Sequence, residues 1–187
     1  MKELGGFSFL ETQIKGVIII EPKMCEDKRG YFMEAFQYEL FKEMGIDMQI
    51  LQVNVSKSKQ GVLRGLHYQR KYPQAKLVRV ISGEIYDVAV DLRHKSETYG
   101  NYIGVNLSKE NNRQLYLPRG CAHGFLVISE EAEFLYLVDN LYHPEDEGGI
   151  IWNDPDININ WPLKDVKELS LSDKDKSLLF FKNSSHY

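Results

Sequence analysis

The chain has 187 residues, 43% of them hydrophobic and 27% charged, with a formal net charge of −4 from 23 basic and 27 acidic side chains. This balance excludes a disordered, collagen-like or coiled-coil chain, and its mildly acidic charge gives no bulk electrostatic reason to bind nucleic acid. No apolar run approaches the roughly 20 residues needed to cross a bilayer, so neither nucleic acid nor a membrane is an expected partner. Cys25 and Cys121 form no paired motif. The opening MKELGGFSFLETQIKG lacks the apolar stretch of a signal peptide. A soluble cytoplasmic protein, one domain over 1–187, is the expectation.

Taken in chain order, short β-branched and aromatic runs broken by turn residues predict a strand over 16–20, then a helix over 38–44 stopped by Gly45. Further strands are predicted over 49–56, 62–67, 76–82, 84–92, 102–107, 114–117, 124–128 and 133–140. Ser82-Gly83 reads as a tight hairpin turn. In 84–92 the period is two, with Tyr86, Val88, Val90 and Leu92 on one face and Ile85, Asp87, Ala89 and Asp91 on the other. The two acids line either a polar barrel interior or a solvated outer face. A second short helix is placed after the turn-rich 165–169 stretch. The pattern is all-β, a jelly-roll barrel or sandwich with a few short peripheral helices.

Chemistry concentrates in two segments. In VLRGLHYQ (62–69), Arg64 and His67 differ by an odd number of positions and face opposite sides of a regular strand. A bulge at Gly65 would turn both into one cavity. In PRGCAHGF (118–125), the P-x-G-x-x-H spacing is that of a cupin barrel, where such a histidine often binds metal. The first segment offers only His67, not the H-x-H pair and carboxylate of a metal cupin, so the pocket is expected to hold no metal and no cofactor.

Without a metal, side chains must move the protons. An imidazole titrates near neutrality, which suits His67 as a general base, and a carboxylate on its other nitrogen would orient it. Asp87, Asp91, Asp173 and Asp175 are the candidates. Lys76 is either a solvated strand-end lysine or a cation placed to stabilise an oxyanion. Tyr136 and Tyr142 are either packing residues or acids. Arg29, Arg64, Lys76, Arg119 and Lys174 could hold phosphates if the fold gathers them. No G-x-G-x-x-G turn or P-loop is present.

With DKRGYFMEAF, QVNVSKSKQGVLRGLHYQ, QAKLVRVISGEIYDVAVDLR, QLYLPRGCAHGF, EFLYLVDNLYHPEDEGGIIWNDPDI and LSLSDKD in that order, the chain resembles the dTDP-4-dehydrorhamnose 3,5-epimerase family from about Ile14 to Asp175. The resemblance implies a metal-free jelly-roll cupin acting as a homodimer, with N-terminal segments joining the partner's sheet. The substrate implied is dTDP-4-dehydro-6-deoxy-D-glucose, inverted at C3 and C5. His67 matches the family's base, Tyr136 its proton donor, Asp175 the acid orienting the histidine, and Lys76 the lysine near the C4 oxygen. Arg64, His123 and Tyr142 match or adjoin pocket-lining positions. Arg29, Glu34, Gln52, Asn54, Glu147 and Lys174 match nucleotide- or sugar-binding positions, some of them across the dimer. Cys121 replaces a larger apolar residue, a change expected to alter packing more than chemistry. Rival readings are a single-site epimerase or keto-sugar isomerase of the same family, a non-catalytic sugar-nucleotide-binding cupin, and a metal-dependent cupin.

Overall fold

A computed structural model describes residues 1–187. Two antiparallel sheets face each other. The larger contains β1 (Lys2–Leu4), β2 (Phe7–Glu11), β3 (Ile18–Pro22), β6 (Gln52–Lys59), β8 (Lys76–Ser82), β11 (Gln114–Leu117) and β13 (Glu131–Val138), in the order β1-β2-β3-β11-β8-β13-β6. The smaller runs β10-β9-β12-β7-β14, from β7 (Leu63–Gln69), β9 (Glu84–Asp91), β10 (Tyr102–Ser108), β12 (Cys121–Val127) and β14 (Glu147–Gly149). A separate ribbon pairs β4 (Cys25–Asp27) with β5 (Gly30–Phe32). The structure is thus sheet-built, with short helices α1 (Tyr38–Glu43) and α2 (Asp173–Lys176) at its periphery, as the all-β reading expected.

Alternation along the strands separates the cores. Val78, Val80, Leu115 and Phe134 from the larger sheet meet Ile85, Ala89, Val105, Phe125 and Val127 from the smaller one. The opposite face of the smaller sheet, including Val88, Val90 and Leu126, is covered by Ile157 and Trp161 from the long C-terminal segment. Both faces of β9 are therefore apolar surroundings. Asp87 and Asp91 are wholly buried, which settles their two alternatives in favour of the interior. Cys121 is buried in the inter-sheet core, and burial pushes its thiol up to about 12, so it behaves as a packing residue.

The third core lies outside the larger sheet. Phe7, Phe9, Leu77 and Tyr116 receive Phe41 of α1, whose ring stands edge-on to Phe7 and Phe9 at 5.1 and 5.4 Å. The helix stops where expected. Gly45, at φ +82°, donates to the Lys42 carbonyl while Ile46 donates to that of Phe41, which is the paired bond set of a Schellman C-cap. Gly83 also has the left-handed φ, +78°, expected of the turn between β8 and β9.

Every predicted strand is present; β8 and β11 have the predicted bounds and the others shift at one or both ends. Residues 118–120 form the turn and β12 starts at Cys121 rather than Gly124. The strand predicted to reach residue 140 ends at Val138. Five strands were not predicted: β1, β2, β4, β5 and β14. All are short, and β14 is Glu-Gly-Gly, which has no strand propensity of its own.

Candidate active site

The cleft opens between the two sheets, and its walls differ in chemistry. On the smaller sheet, the pairing of β7 with β12 slips by one residue. His67 lies opposite His123, but Arg64 lies opposite Phe125. The extra residue is accommodated at Gly65, which has φ +118°. A Cβ there would come within 2.6 Å of the Gly124 Cα and 2.8 Å of the His123 carbonyl, so the facing glycines permit the bulge. Its effect is that Arg64 and His67 line one cavity of about 280 Å³ with Lys76, His123 and Tyr136.

His67 Nε2 lies 2.6 Å from Asp175 Oδ1. Asp175 is fixed from its own helix. Ser172 is the N-cap of α2, its Oγ accepting from the Asp175 N–H and donating to Oδ2 at 2.8 Å, so one hydroxyl caps the helix and holds the carboxylate. Burial pushes the Asp175 carboxyl upward, but His67, Ser172 and the Gly65 N–H outweigh it and hold the group below its ordinary value. An ionised carboxylate on Nε2 keeps a proton there and leaves Nδ1, 3.6 Å from Glu147, free to accept one.

Asp87 does not serve His67. It bonds His123 Nε2 at 2.9 and 3.1 Å, and burial raises its pKa against the pull of His123 and Lys76. Asp91 binds Arg93, Ser96 and Thr98 in the following turn, and exposed Asp173 pairs with Lys176. Of the four acids considered for His67, only Asp175 reaches it.

The larger sheet supplies Lys76, Tyr136, Gln52 and Asn54. Desolvation lowers Lys76 to about 8 despite the through-space pull of Asp87 and Glu147. Burial raises the Tyr136 hydroxyl, opposed by Arg64 and assisted by Glu147. Gln52 Nε2 donates to Asn54 Oδ1 at 2.7 Å. Toward the mouth, an adjoining cavity of about 200 Å³ is lined by Gln52, Asn54, Gln69, Gln74, Tyr142 and Glu147, among others.

Glu147 joins the two walls. Tyr142 donates to it at 2.6 Å and Lys174 is bonded to the same oxygen. Burial raises its carboxyl, but these bonds and His67 outweigh that and lower it overall. The Tyr142 hydroxyl is in turn pushed up to about 12, chiefly by its bond to Glu147.

Not every candidate converges. Exposed Arg29 sits on the β4–β5 ribbon, bonded to Asp27, and Glu34 is exposed just beyond it. Neither lines the cleft of its own chain. Arg119 bonds Asp139. So among the five basic residues considered for phosphate, Arg64 and Lys76 share the cavity, and Lys174 joins them through Glu147. No group of three or more His, Cys, Asp or Glu side chains is placed to hold a metal ion. Sequence reasoning overlooked Ser172, although S-x-x-D before a short helix is a readable capping signal. It also overlooked Asp87 as the partner of His123.

The chain is similar to known proteins along most of its length. The family model described as dTDP-4-dehydrorhamnose 3,5-epimerase matches residues 11–183. The enzyme of that name from Methanothermobacter thermautotrophicus is 54% identical over 171 residues, covering 91% of this chain and 92% of its own. The crystal structure of the Elizabethkingia anophelis enzyme superposes with a TM-score of 0.91 at 46% identity, covering 98% of this chain and all of its own. The Legionella pneumophila enzyme, in complex with dTDP-4-keto-L-rhamnose, also gives 0.91 at 46%, over 95% of this chain and 94% of its own. A match of this extent, running through both walls of the cleft, makes the chain a member of the dTDP-4-dehydrorhamnose 3,5-epimerase family.

Proposed function

We propose that the protein converts dTDP-4-dehydro-6-deoxy-D-glucose to dTDP-4-dehydro-L-rhamnose in the cytoplasm, by proton exchange at C3 and C5. One observation carries the reading: His67 on one sheet, bonded to the Asp175 carboxylate of α2, faces a lysine and a tyrosine on the other sheet across a single cleft. Inversion needs that opposition, because a proton must leave one face of the carbon and return to the other. His67, oriented by Asp175, removes the proton. The electron pair moves onto the C4 oxygen, and Lys76 stabilises the enolate where water screens the charge poorly. Tyr136 returns a proton from the opposite sheet. C3 and C5 both flank C4, so one set of groups serves both. Arg64 and Lys174 meet the diphosphate, with Gln52, Asn54, His123, Tyr142 and Glu147 around the sugar and nucleotide. The two free cysteines fit a reducing compartment.

The active form is a homodimer on this reading. Val53 and Val55 on the edge strand β6, with Leu51 just before it, are each more than half exposed, an apolar stripe that a second copy would cover. Arg29 and Glu34, outside their own cleft, would then serve the neighbour's. The sedimentation mass tests the assembly: a monomer at micromolar concentration removes this part.

The activity is tested in D2O, with chelator present, by following C3 and C5 of the substrate by NMR and coupling to the downstream reductase. Label at both carbons and formation of dTDP-L-rhamnose are expected. Label at one carbon only makes the protein a single-site epimerase. Binding without label makes it a binding cupin, and activity lost only with chelator would make it a metal-dependent one.

A further inference from the structure

From its hydrogen bonds we infer that Gln69, which takes no part in the proton transfer, is a positioning residue that assembles the mouth of the cleft. The inference rests on the epimerase reading for its activity arm, and on geometry alone for the rest.

Gln69 ends β7, two residues beyond His67, so it shares the cleft-facing side of the strand. It lines the cavity but is only 4% exposed. Its amide is occupied on every side by backbone from two loops distant in sequence. Nε2 donates to the Tyr72 carbonyl at 2.6 Å and to the Leu141 carbonyl at 3.0 Å, while Oε1 accepts from the His143 N–H at 2.6 Å. Through its register pairing, Gln69 also lies beside Glu147 on β14.

These contacts matter for what they adjoin. Loop 70–75 leads directly into Lys76. Loop 139–146 carries Tyr142 between the two residues that Gln69 holds, and it ends at Glu147. One side chain thus sets the spacing between three site residues that are scattered in the sequence. The glutamine type is required, because two carbonyls need donors and one N–H needs an acceptor from the same buried point. Leucine has similar bulk and satisfies none of them. Glutamate satisfies the N–H always, but a carbonyl only when its carboxyl is protonated. Other bonds join the same loops, including Gln74 to Asn140 and Asp139 to the Ala75 N–H. A folded Gln69→Leu variant is therefore expected, with the mouth loosened rather than the fold lost.

The test compares wild type, Gln69→Leu and Gln69→Glu. Amide hydrogen exchange and dTDP affinity are measured first, then epimerase kinetics. In Gln69→Leu, amides of 71–74 and 140–143 should lose protection while those of β9 and β12 keep it. The dTDP affinity should fall about tenfold, and KM should rise more than kcat falls. The ratio of Gln69→Glu to wild-type affinity should climb as pH is lowered, because the protonated carboxyl regains one donor. Unchanged loop protection and dTDP affinity in a folded Gln69→Leu overturn the inference. So does loss of protection spread evenly over the molecule, which would mark Gln69 as merely structural. An inactive wild type instead sinks the epimerase reading, and the exchange and affinity measurements still decide the role of Gln69.

Discussion

The two walls of the cleft are built on opposite principles. On the smaller sheet each histidine is already matched to a buried carboxylate, His67 to Asp175 and His123 to Asp87. On the larger sheet, Lys76 is desolvated with only distant countercharges, and Tyr136 is raised mainly by burial. Satisfied groups are rigid, since leaving a buried partner unpaired is costly. An incompletely compensated cation and a weak acid are poised to interact with a charge that arrives with the substrate. One wall is thus set before binding, and the other is completed by it.

The largest effects should come from breaking this contrast at its centre. On the base wall, His67→Ala should abolish solvent exchange at C3 and C5 together, lowering kcat by about 10²–10⁴-fold. Exchange persisting at either carbon would remove His67 as the sole base. On the opposite wall, Lys76→Met should cost about 10²–10³-fold in kcat through the lost enolate countercharge. Because its neutral side chain no longer bears the burial cost of a cation, the same variant should be no less stable than wild type at pH 7, as thermal unfolding will show. A strongly destabilised Lys76→Met would mean that the lysine is structural.

The pH profile sharpens the comparison with a smaller effect. Activity should decline as pH rises through about 8, where Lys76 loses its charge, and Lys76→Arg should move that limb upward. For stability the sign is opposite. Folded Lys76 titrates near 8 and unfolded lysine near 10.5, so within that window the unfolded chain binds more protons and this group's contribution rises with pH. Asp175 acts in the same direction at lower pH, because there too the unfolded chain binds more protons. Its depressed carboxyl contributes stability above the ordinary aspartate value of 3.8, lost as pH falls through the folded value. Asp175→Asn should flatten that acid limb and lower kcat by about 10²-fold or more through misorientation of His67. The smallest effect is expected at the periphery, where Arg29→Ala should weaken dTDP binding by about tenfold or less and leave the pH profile of kcat unmoved.

How much of this was legible varied with the range of the interaction. The strands over β7, β8, β9 and β13 were readable because side-chain alternation is local. The stop of α1 at Gly45 and the turn at Gly83 were readable because a positive φ favours glycine. β2 was overlooked even though Phe7 and Phe9 alternate. Their burial depends on Phe41, which is more than thirty positions away and arrives on another element. The bulge at Gly65 could be suspected from the odd spacing of Arg64 and His67, but its permission comes from Gly124 on a neighbouring strand.

The sequence by itself determined the sheet-rich class, the principal turns and the residue types capable of proton chemistry, since these depend on neighbours a few positions apart. The family motifs added the expected roles of His67, Lys76, Tyr136 and Asp175. Only the tertiary structure decided which carboxylate serves which histidine and that Arg29 lies outside its own cleft. It also decided that one glutamine ties the loops of the mouth together. Hydrogen bonds and ion pairs act over a few ångströms in space, and His67 meets an acid 108 positions away in the chain. Such pairings exist only after the sheets have closed on each other.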